Sequence, residues 1–205
     1  MWWQEHVSEF VTLFLVVDPI GVLPAFLALA GQLDHATQRK IAIRAVVAAF
    51  AVLVFFILAG NFVLRHMNIP IRAFQIAGGI VLFLVALEMV RGDEHAASNP
   101  GGDKLALAIY PLAMPKIAGP GAMLAVVLLT DDDRFNFAGQ LATIGIVAVV
   151  MVIQLAILLA AGPILRVIGA AVAGVIGRVM GLLLAALAVS LVLTALGDWA
   201  GLPKL

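Results

Sequence analysis

The sequence contains six apolar runs, and each is long enough to cross a lipid bilayer. A bilayer core about 30 Å thick requires about 20 apolar residues per transmembrane helix. Because 64% of the chain is hydrophobic and only 12% is charged, only short polar joints remain between the runs. We therefore expect an all-α membrane protein with six transmembrane helices, at residues 7–30, 41–64, 71–90, 104–130, 137–165 and 174–197.

The polar joints between these runs differ in basic charge, which predicts an orientation. If the joints alternate between the two sides of the membrane, one side has seven basic side chains and the other has four. The positive-inside rule places the more basic side in the cytoplasm, so both termini are expected outside it. The two sets of basic residues are Arg39, Lys40, Arg44, Arg91, Lys104, Arg166 and Arg178 on the first side and Arg65, Arg72, Arg134 and Lys204 on the other.

The start of the chain has no basic region before its tryptophans. We therefore expect this segment to be retained rather than cleaved as a signal peptide.

The first apolar run is interrupted at Asp18-Pro19. Proline has no amide hydrogen and its ring clashes with the preceding helical turn, so a continuous helix is disfavoured here. Aspartate followed by proline is, however, a typical helix start. The sequence thus predicts two half-helices, of which the second begins at Asp18. An ionised carboxylate at this depth costs several kcal/mol unless it is paired or hydrated, which makes Asp18 a candidate functional group.

The fourth apolar run is broken more extensively, because three prolines and two glycines fall between Pro111 and Gly121. Its second half is predicted to start at Gly119-Pro120, again with proline in the first helical position. Irregular backbone at membrane depth is tolerated only inside the protein or beside a cavity. Two alternatives stay open: the breaks could serve only helix packing, and Lys116 could either pair with Asp18 or extend to an interface.

The two breaks occupy corresponding positions in a candidate internal repeat. A shift of 101 residues superposes Asp18-Pro19 on Gly119-Pro120. A shift of 102 residues superposes Gly79 on Gly181, Leu82 on Leu184 and Ala86 on Ala188. Three helices per half is an odd number, so the second half would enter the membrane in the opposite direction, as in many secondary transporters. The predicted inverted three-helix repeats are residues 1–97 and 98–205, which together form one membrane domain.

Inverted halves would bring two half-helix N-termini to the membrane midplane from opposite sides. Each N-terminus would offer unbonded N–H groups and a partial positive charge, while Asp18 and freed carbonyls would offer the opposite polarity. This arrangement suits a zwitterion, with its carboxylate on the N-termini and its ammonium, or a proton, on Asp18. Asp18 is also the candidate proton-coupling residue. The candidate substrate-binding residues are Asp18, Pro19, Gly21, Pro24, Gln75, Gly78, Pro115, Lys116, Gly119, Pro120 and Gly121.

Other polar residues in the apolar runs have structural interpretations. Gln75 either reaches the site or bonds a neighbouring helix, while the glycines that follow it permit close helix packing. Glu88 and Arg91 lie near a cytoplasmic helix end, where pairing three residues apart explains them. Gln154 is interpreted as a polar contact between helices.

The sequence contains no motif for catalysis or cofactor binding. It has no cysteine, and its four histidines fall at joints or helix ends without metal-ligand spacing. Nucleophile-elbow and P-loop motifs do not occur. We therefore expect no enzymatic activity, no metal and no cofactor. The twelve basic and twelve acidic residues cancel, which gives no indication of a nucleic-acid partner. The expected partners are a small-molecule substrate and the lipid bilayer, and the oligomeric state is left open.

Three motifs together resemble those of the MarC family of integral membrane proteins, over essentially the whole chain. They are Leu13 to Pro24 with its Asp18-Pro19-Ile20-Gly21 core, Phe74-Gln75-Ile76-Ala77-Gly78-Gly79-Ile80, and Pro111 to Gly121. The resemblance implies a six-helix prokaryotic inner-membrane protein that transports a small neutral amino acid by proton-coupled alternating access. Lys116 departs from the family pattern, which has an apolar or small residue there, and this bears on the substrate more than on the fold. A non-transporting scaffold or regulator and a drug or metabolite exporter are the alternatives.

Overall fold

The computed structural model describes residues 2–92, 108–130 and 137–201. All regular structure in these ranges is helical, which confirms the predicted all-α class. The predicted repeat boundary at 97/98 and residues 131–134, between the fourth and fifth apolar runs, lie outside the described residues. The elements are α1 (Trp2–Val17), α2 (Val22–Ala30), α3 (His35–His66), α4 (Ile71–Arg91), a segment π1 (Ile109–Ile117) whose π-helical turns are broken by extended backbone at Tyr110 and Met114, α5 (Pro120–Leu129), α6 (Phe137–Leu159), α7 (Ala161–Ile168) and α8 (Ala170–Ala200).

Four described helices, α3, α4, α6 and α8, are long and apolar enough to cross a membrane. The pair α1 and α2 adds a fifth candidate span, which is bent by 41° at its break. The predicted span at 104–130 is described only from residue 108 onward, where it consists of π1 and the short helix α5. The chain is therefore a multi-pass membrane protein by length and composition, while the count of six spans stays a prediction.

Local chemistry explains where several helices begin and end. At the start of α3, the Asp34 carboxylate accepts a hydrogen bond from the Thr37 amide at 3.0 Å, as an N-cap does. Hydrogen bonds from Thr37 also hold the pKa of the Asp34 carboxyl below its ordinary value. At its end, α4 stops at Gly92, which has a left-handed φ of 77° that glycine adopts without strain.

The boundary between the fifth and sixth apolar runs differs from the predicted one, which ended the fifth run at residue 165 and began the sixth at residue 174. Helix α7 continues to Ile168 and α8 begins at Ala170, so Gly169 alone separates them. The reason is that a basic side chain such as Arg166 interrupts apolarity without interrupting the helical backbone. Gly169 does interrupt it, because its φ of 80° is left-handed.

The helices pack around two apolar clusters. The larger one joins the α1–α2 and π1–α5 segments to α3 and α6. The smaller one lies between α4 and α8 and consists of Leu82, Ala86, Leu184 and Ala188. Glycines let these two helices approach closely: a Cβ atom on Gly79 would lie 3.1 Å from the Ala188 carbonyl oxygen, and one on Gly181 would lie 3.0 Å from that of Ala86. Close helix packing therefore accounts for Gly79, as predicted.

Candidate functional site

The first break is a tight turn that places the Asp18 carboxylate against the backbone. Asp18 has a φ of 46°, in the left-handed region that aspartate tolerates better than most residues. Its Oδ1 accepts a hydrogen bond from the Gly21 amide at 3.1 Å, and the Val22 amide donates to its carbonyl oxygen at 3.3 Å. The second half-helix therefore begins at Val22, and the predicted start at Asp18 was wrong. A residue with positive φ cannot form the first helical turn. The Asp18 carboxylate therefore accepts the Gly21 hydrogen bond from the tight turn that precedes α2.

Gly21 is required by this arrangement. A Cβ atom at residue 21 would overlap the Asp18 carboxylate. The backbone conformation of Gly21 itself, with φ −67° and ψ −19°, is open to any residue. Glycine is therefore needed at residue 21 to leave room for the Asp18 carboxylate, and not to allow an unusual backbone conformation.

The second break has the helix start that the sequence predicted. Helix α5 begins at Pro120, and Gly119 precedes it in an extended conformation. Gly119 has no side chain to cap the helix, so none of the first-turn amides receives a side-chain hydrogen bond from the N-cap. A Cβ atom on Gly119 would lie 2.7 Å from the Pro115 carbonyl oxygen, which explains the glycine.

The two half-helix N-termini differ in their hydrogen bonding, although the sequence predicted equivalent ones. At the first break the amides of Gly21, Val22 and Leu23 all donate within the turn. At the second break the first-turn residues Gly121 and Ala122 line a cavity and have no N-cap side chain. The N-terminus of α5 is thus the better placed of the two to bind an anionic group.

One cavity of about 130 Å³ connects the two breaks and one face of α4. Asp18 lies at its buried end, where that residue is 6% exposed. Glu88 and Lys116 are exposed residues of the same cavity, and we call the end that they form the mouth. The lining residues are Val16, Val17, Asp18, Gly21, Val22, Leu82, Val85, Glu88, Met89, Pro115, Lys116, Gly119, Pro120, Gly121, Ala122 and Leu184.

Most of the residues selected from the sequence lie together in this cavity. Asp18, Gly21, Pro115, Lys116, Gly119, Pro120 and Gly121 line it. Pro19, Pro24, Gln75 and Gly78 do not. The Gln75 side chain donates a hydrogen bond to the Leu191 carbonyl oxygen of α8 at 3.0 Å, so of its two predicted roles the structure shows the contact with a neighbouring helix. Gly78 faces the Leu124 side chain of α5, where it permits close packing.

Sequence reasoning assigned no role in the site to Glu88, which lines the cavity mouth. No ion pair joins Glu88 to Arg91 in the described part of the chain, so the predicted pairing of these two residues does not occur. A signal was present in the sequence, because Leu82, Val85 and Glu88 follow one another at intervals of three on one helix face. All three line the cavity.

Lys116 supplies the positive charge of the cavity. Its ammonium group forms no ion pair with a carboxylate of the described ranges. The same ranges contain no group of three side chains of the types that ligate metals. Together with Asp18 and Glu88, Lys116 gives the cavity ionisable groups of both signs.

The chain is similar in sequence to other membrane proteins along nearly its whole length. The profile described as "MarC family integral membrane protein" matches residues 3–200. The chain is 30% identical over 196 residues to the "UPF0056 membrane protein" of Archaeoglobus fulgidus, with 93% of this chain and 92% of the relative covered. It is 30% identical over 200 residues to the "UPF0056 inner membrane protein YhgN" of Escherichia coli K12, with 96% and 98% covered. No solved structure matches. The similarity extends across both breaks and the cavity residues.

Proposed function

Because the chain belongs to the MarC family of integral membrane proteins, as its motifs predicted, we propose that it is a proton-coupled secondary transporter of small neutral amino acids. The observation that carries the proposal is the cavity itself. It lies between two broken helices and is lined by an acid at its buried end and by the uncapped N-terminus of α5. In the proposed cycle the substrate binds here without chemical change, and access alternates between the two membrane faces.

The cavity size supports a substrate of about six non-hydrogen atoms. A protein cavity of about 150 Å³ accommodates benzene, which has six carbon atoms. The cavity described here is slightly smaller, at about 130 Å³. Glycine and alanine have five and six non-hydrogen atoms and fit this limit. Drug-sized molecules typically occupy pockets of about 300 Å³ or more, so this cavity matches the smaller substrates better.

The charges of the cavity support a zwitterion. The first turn of α5 offers N–H groups, and Lys116 lies in the same cavity, so a substrate carboxylate has donors on this side. Asp18 and Glu88 offer carboxylates for a proton and an ammonium group. A neutral amino acid carries both charges, and it would leave neither set of groups without a partner.

Contacts between α4 and α8 support the inverted repeat, an architecture found in many secondary transporters. Gly79 approaches Ala188, and Gly181 approaches Ala86. The shift of 102 residues exchanges these two contacts with each other. Such reciprocal contacts are what a two-fold relation between equivalent elements produces. We therefore retain six spans in two inverted halves as part of the proposal.

The proposed location is the prokaryotic inner membrane, with both termini outside the cytoplasm. The name of the Escherichia coli relative describes that protein as an inner membrane protein. The distribution of basic residues between the joints supports the orientation. The cavity mouth, near the end of α4, would then face the cytoplasm.

Asp18 is the proposed proton-coupling residue. It is an acid buried within an apolar span, a position that usually marks a proton or ion pathway. Asp18→Asn is the sharpest test, because the asparagine Oδ1 can still accept the Gly21 hydrogen bond while the residue no longer binds a proton. We expect the variant to lose accumulation driven by a pH gradient in proteoliposomes.

The measurement is uptake of a panel of labelled neutral amino acids with and without an imposed proton gradient. Glu5→Asn, at an exposed acid on α1, is a control that should leave uptake unchanged. Full gradient-driven accumulation by the Asp18→Asn protein would exclude the coupling role. If the wild-type protein takes up no member of the panel, transport itself is excluded for these substrates and the scaffold alternative is favoured.

A further inference from the structure

Glu88 is a charged residue of the cavity with no assigned role. It lies on α4, one of the helices that pack against the broken segments. Its carboxylate is exposed at the cavity mouth and makes no hydrogen bond or ion pair within the described part of the chain. We propose that Glu88 binds the ammonium group of the substrate, and that Glu88 and Lys116 together make the cavity selective for zwitterions. This inference rests on the proposed transport of small neutral amino acids.

The charge balance of the cavity supports this assignment. Among the described residues that line the cavity, Asp18, Glu88 and Lys116 are the ionisable ones. When Asp18 holds the coupling proton, Glu88 and Lys116 leave the cavity with one negative and one positive charge. A bound zwitterion then places one charge opposite each group. A substrate with only one charge would leave either Glu88 or Lys116 without a partner in a site that is largely apolar.

The different settings of the two acids favour Glu88 over Asp18 as the ammonium ligand. The Asp18 carboxylate is buried and already accepts the Gly21 amide hydrogen. If the same carboxylate bound both the proton and the ammonium group, the two cations would compete and could not be carried together. Two separate carboxylates remove this competition, because Asp18 takes the proton while Glu88 takes the ammonium group.

An ordinary position at a helix end does not account for Glu88. The nearest partner expected from helix geometry is Arg91, and the two do not form an ion pair. Leu82 and Val85 precede Glu88 on the same helix face and line the same cavity. Glu88 is therefore oriented with the cavity-lining face of α4.

A series of three related ligands that differ in charge tests the proposal. The probes are alanine, propionate, which is alanine without its amino group, and ethylamine, which is alanine without its carboxylate. Binding of each probe to the full-length protein in detergent is measured by calorimetry. We expect Glu88→Gln to weaken alanine binding by about tenfold or more and to leave propionate binding equal or stronger, because only alanine loses a charged partner. Lys116→Gln should show the converse, with alanine weakened and ethylamine retained.

Two further variants make the test specific. Glu88→Lys should abolish alanine binding and strengthen propionate binding above the wild-type value, which a merely structural role for Glu88 does not predict. Glu88→Asp should retain part of the preference for alanine over propionate. Glu5→Gln and Lys40→Gln, at exposed positions outside the cavity, are the matched controls and should change no affinity.

The possible results distinguish a failure of the proposed substrate class from a failure of the role proposed for Glu88. Wild-type protein that binds none of the three probes would overturn both the proposed substrate class and the role of Glu88. Wild-type protein that binds alanine, together with Glu88→Gln protein that binds it equally well, would overturn only the role of Glu88. An equal loss of alanine and propionate binding in Glu88→Gln protein would also overturn it, since such a loss indicates a structural defect.

Discussion

Gln154 offers a test of how strictly polar groups must be satisfied inside this protein. Its side chain is fully buried on the face of α6 that also carries the core residues Val150, Met151 and Leu158. Neither its nitrogen nor its oxygen has a hydrogen-bond partner among the described residues. The interpretation of Gln154 as a polar contact between helices was therefore wrong. We predict that Gln154→Leu, which has a similar length and no polar atoms, stabilises the protein.

The expected magnitude follows from the cost of burying an amide without a partner. Mutational data place this cost at about 1–3 kcal/mol. A chain of about this size gains roughly 2–4 °C in Tm per kcal/mol. An intermediate value of about 2 kcal/mol thus corresponds to a rise of about 4–8 °C.

Thermal unfolding of the purified protein in detergent measures this shift. Gln140→Leu is the matched control, because Gln140 lies near the start of the same helix, is only half-buried and already makes an interaction. The control should not raise the Tm. A lower Tm for Gln154→Leu than for the wild type would contradict this prediction, because it would mean that the amide is hydrogen-bonded in solution, for instance to an internal water.

Two further predictions concern the first break and the start of α3. Gly21→Ala should displace the Asp18 carboxylate and abolish coupled uptake while circular dichroism shows intact helices; Gly145→Ala, where a Cβ meets open space, should retain uptake. Asp34→Asn keeps an N-cap acceptor but removes the ionised carboxyl group, whose pKa is lowered by hydrogen bonds from Thr37. The substitution should therefore reduce the Tm at neutral pH. A lowered folded-state pKa means that the ionised carboxyl stabilises the folded state above the ordinary value of 3.8, and this stabilisation is lost as the pH falls through the folded-state pKa. The difference in Tm between the two proteins should therefore shrink as the pH is lowered below 3.8.

The helix breaks were predictable because proline and glycine act on their own backbone. The start of α5 at Gly119-Pro120 needs no knowledge of other helices, and the sequence prediction was right there. The start of α2 was misplaced because Asp18 adopts a left-handed φ, and its carboxylate is held by Gly21 rather than by a helical first turn. That choice between two capping geometries depends on the packing around the turn.

The cavity residues were less predictable, because the orientation of a helix face depends on its neighbours. α4 is apolar along nearly its whole length, so periodicity alone did not show which face meets the breaks. Packing against α8 decides this: Gly79 and Ala86 turn toward that helix, while Val85 and Glu88 line the cavity. Gln75 likewise bonds α8 rather than the cavity because of where α8 lies.

The two breaks differ because only the first has a titratable capping side chain, and this difference would let a bound proton change the conformation of the first break. An ionised Asp18 accepts the Gly21 hydrogen bond with the added strength of a charged acceptor. Protonation removes that charge and adds a donor, and Pro19 leaves the nearby Leu15 carbonyl without its usual helical N–H partner. Protonation would thus loosen the turn at which α1 and α2 are bent by 41°. The second break has no titratable cap, so in the proposed cycle the proton changes the first half while the substrate carboxylate engages α5. Asp18→Asn imitates the protonated state, and we accordingly expect it to bind substrate while failing to respond to the gradient.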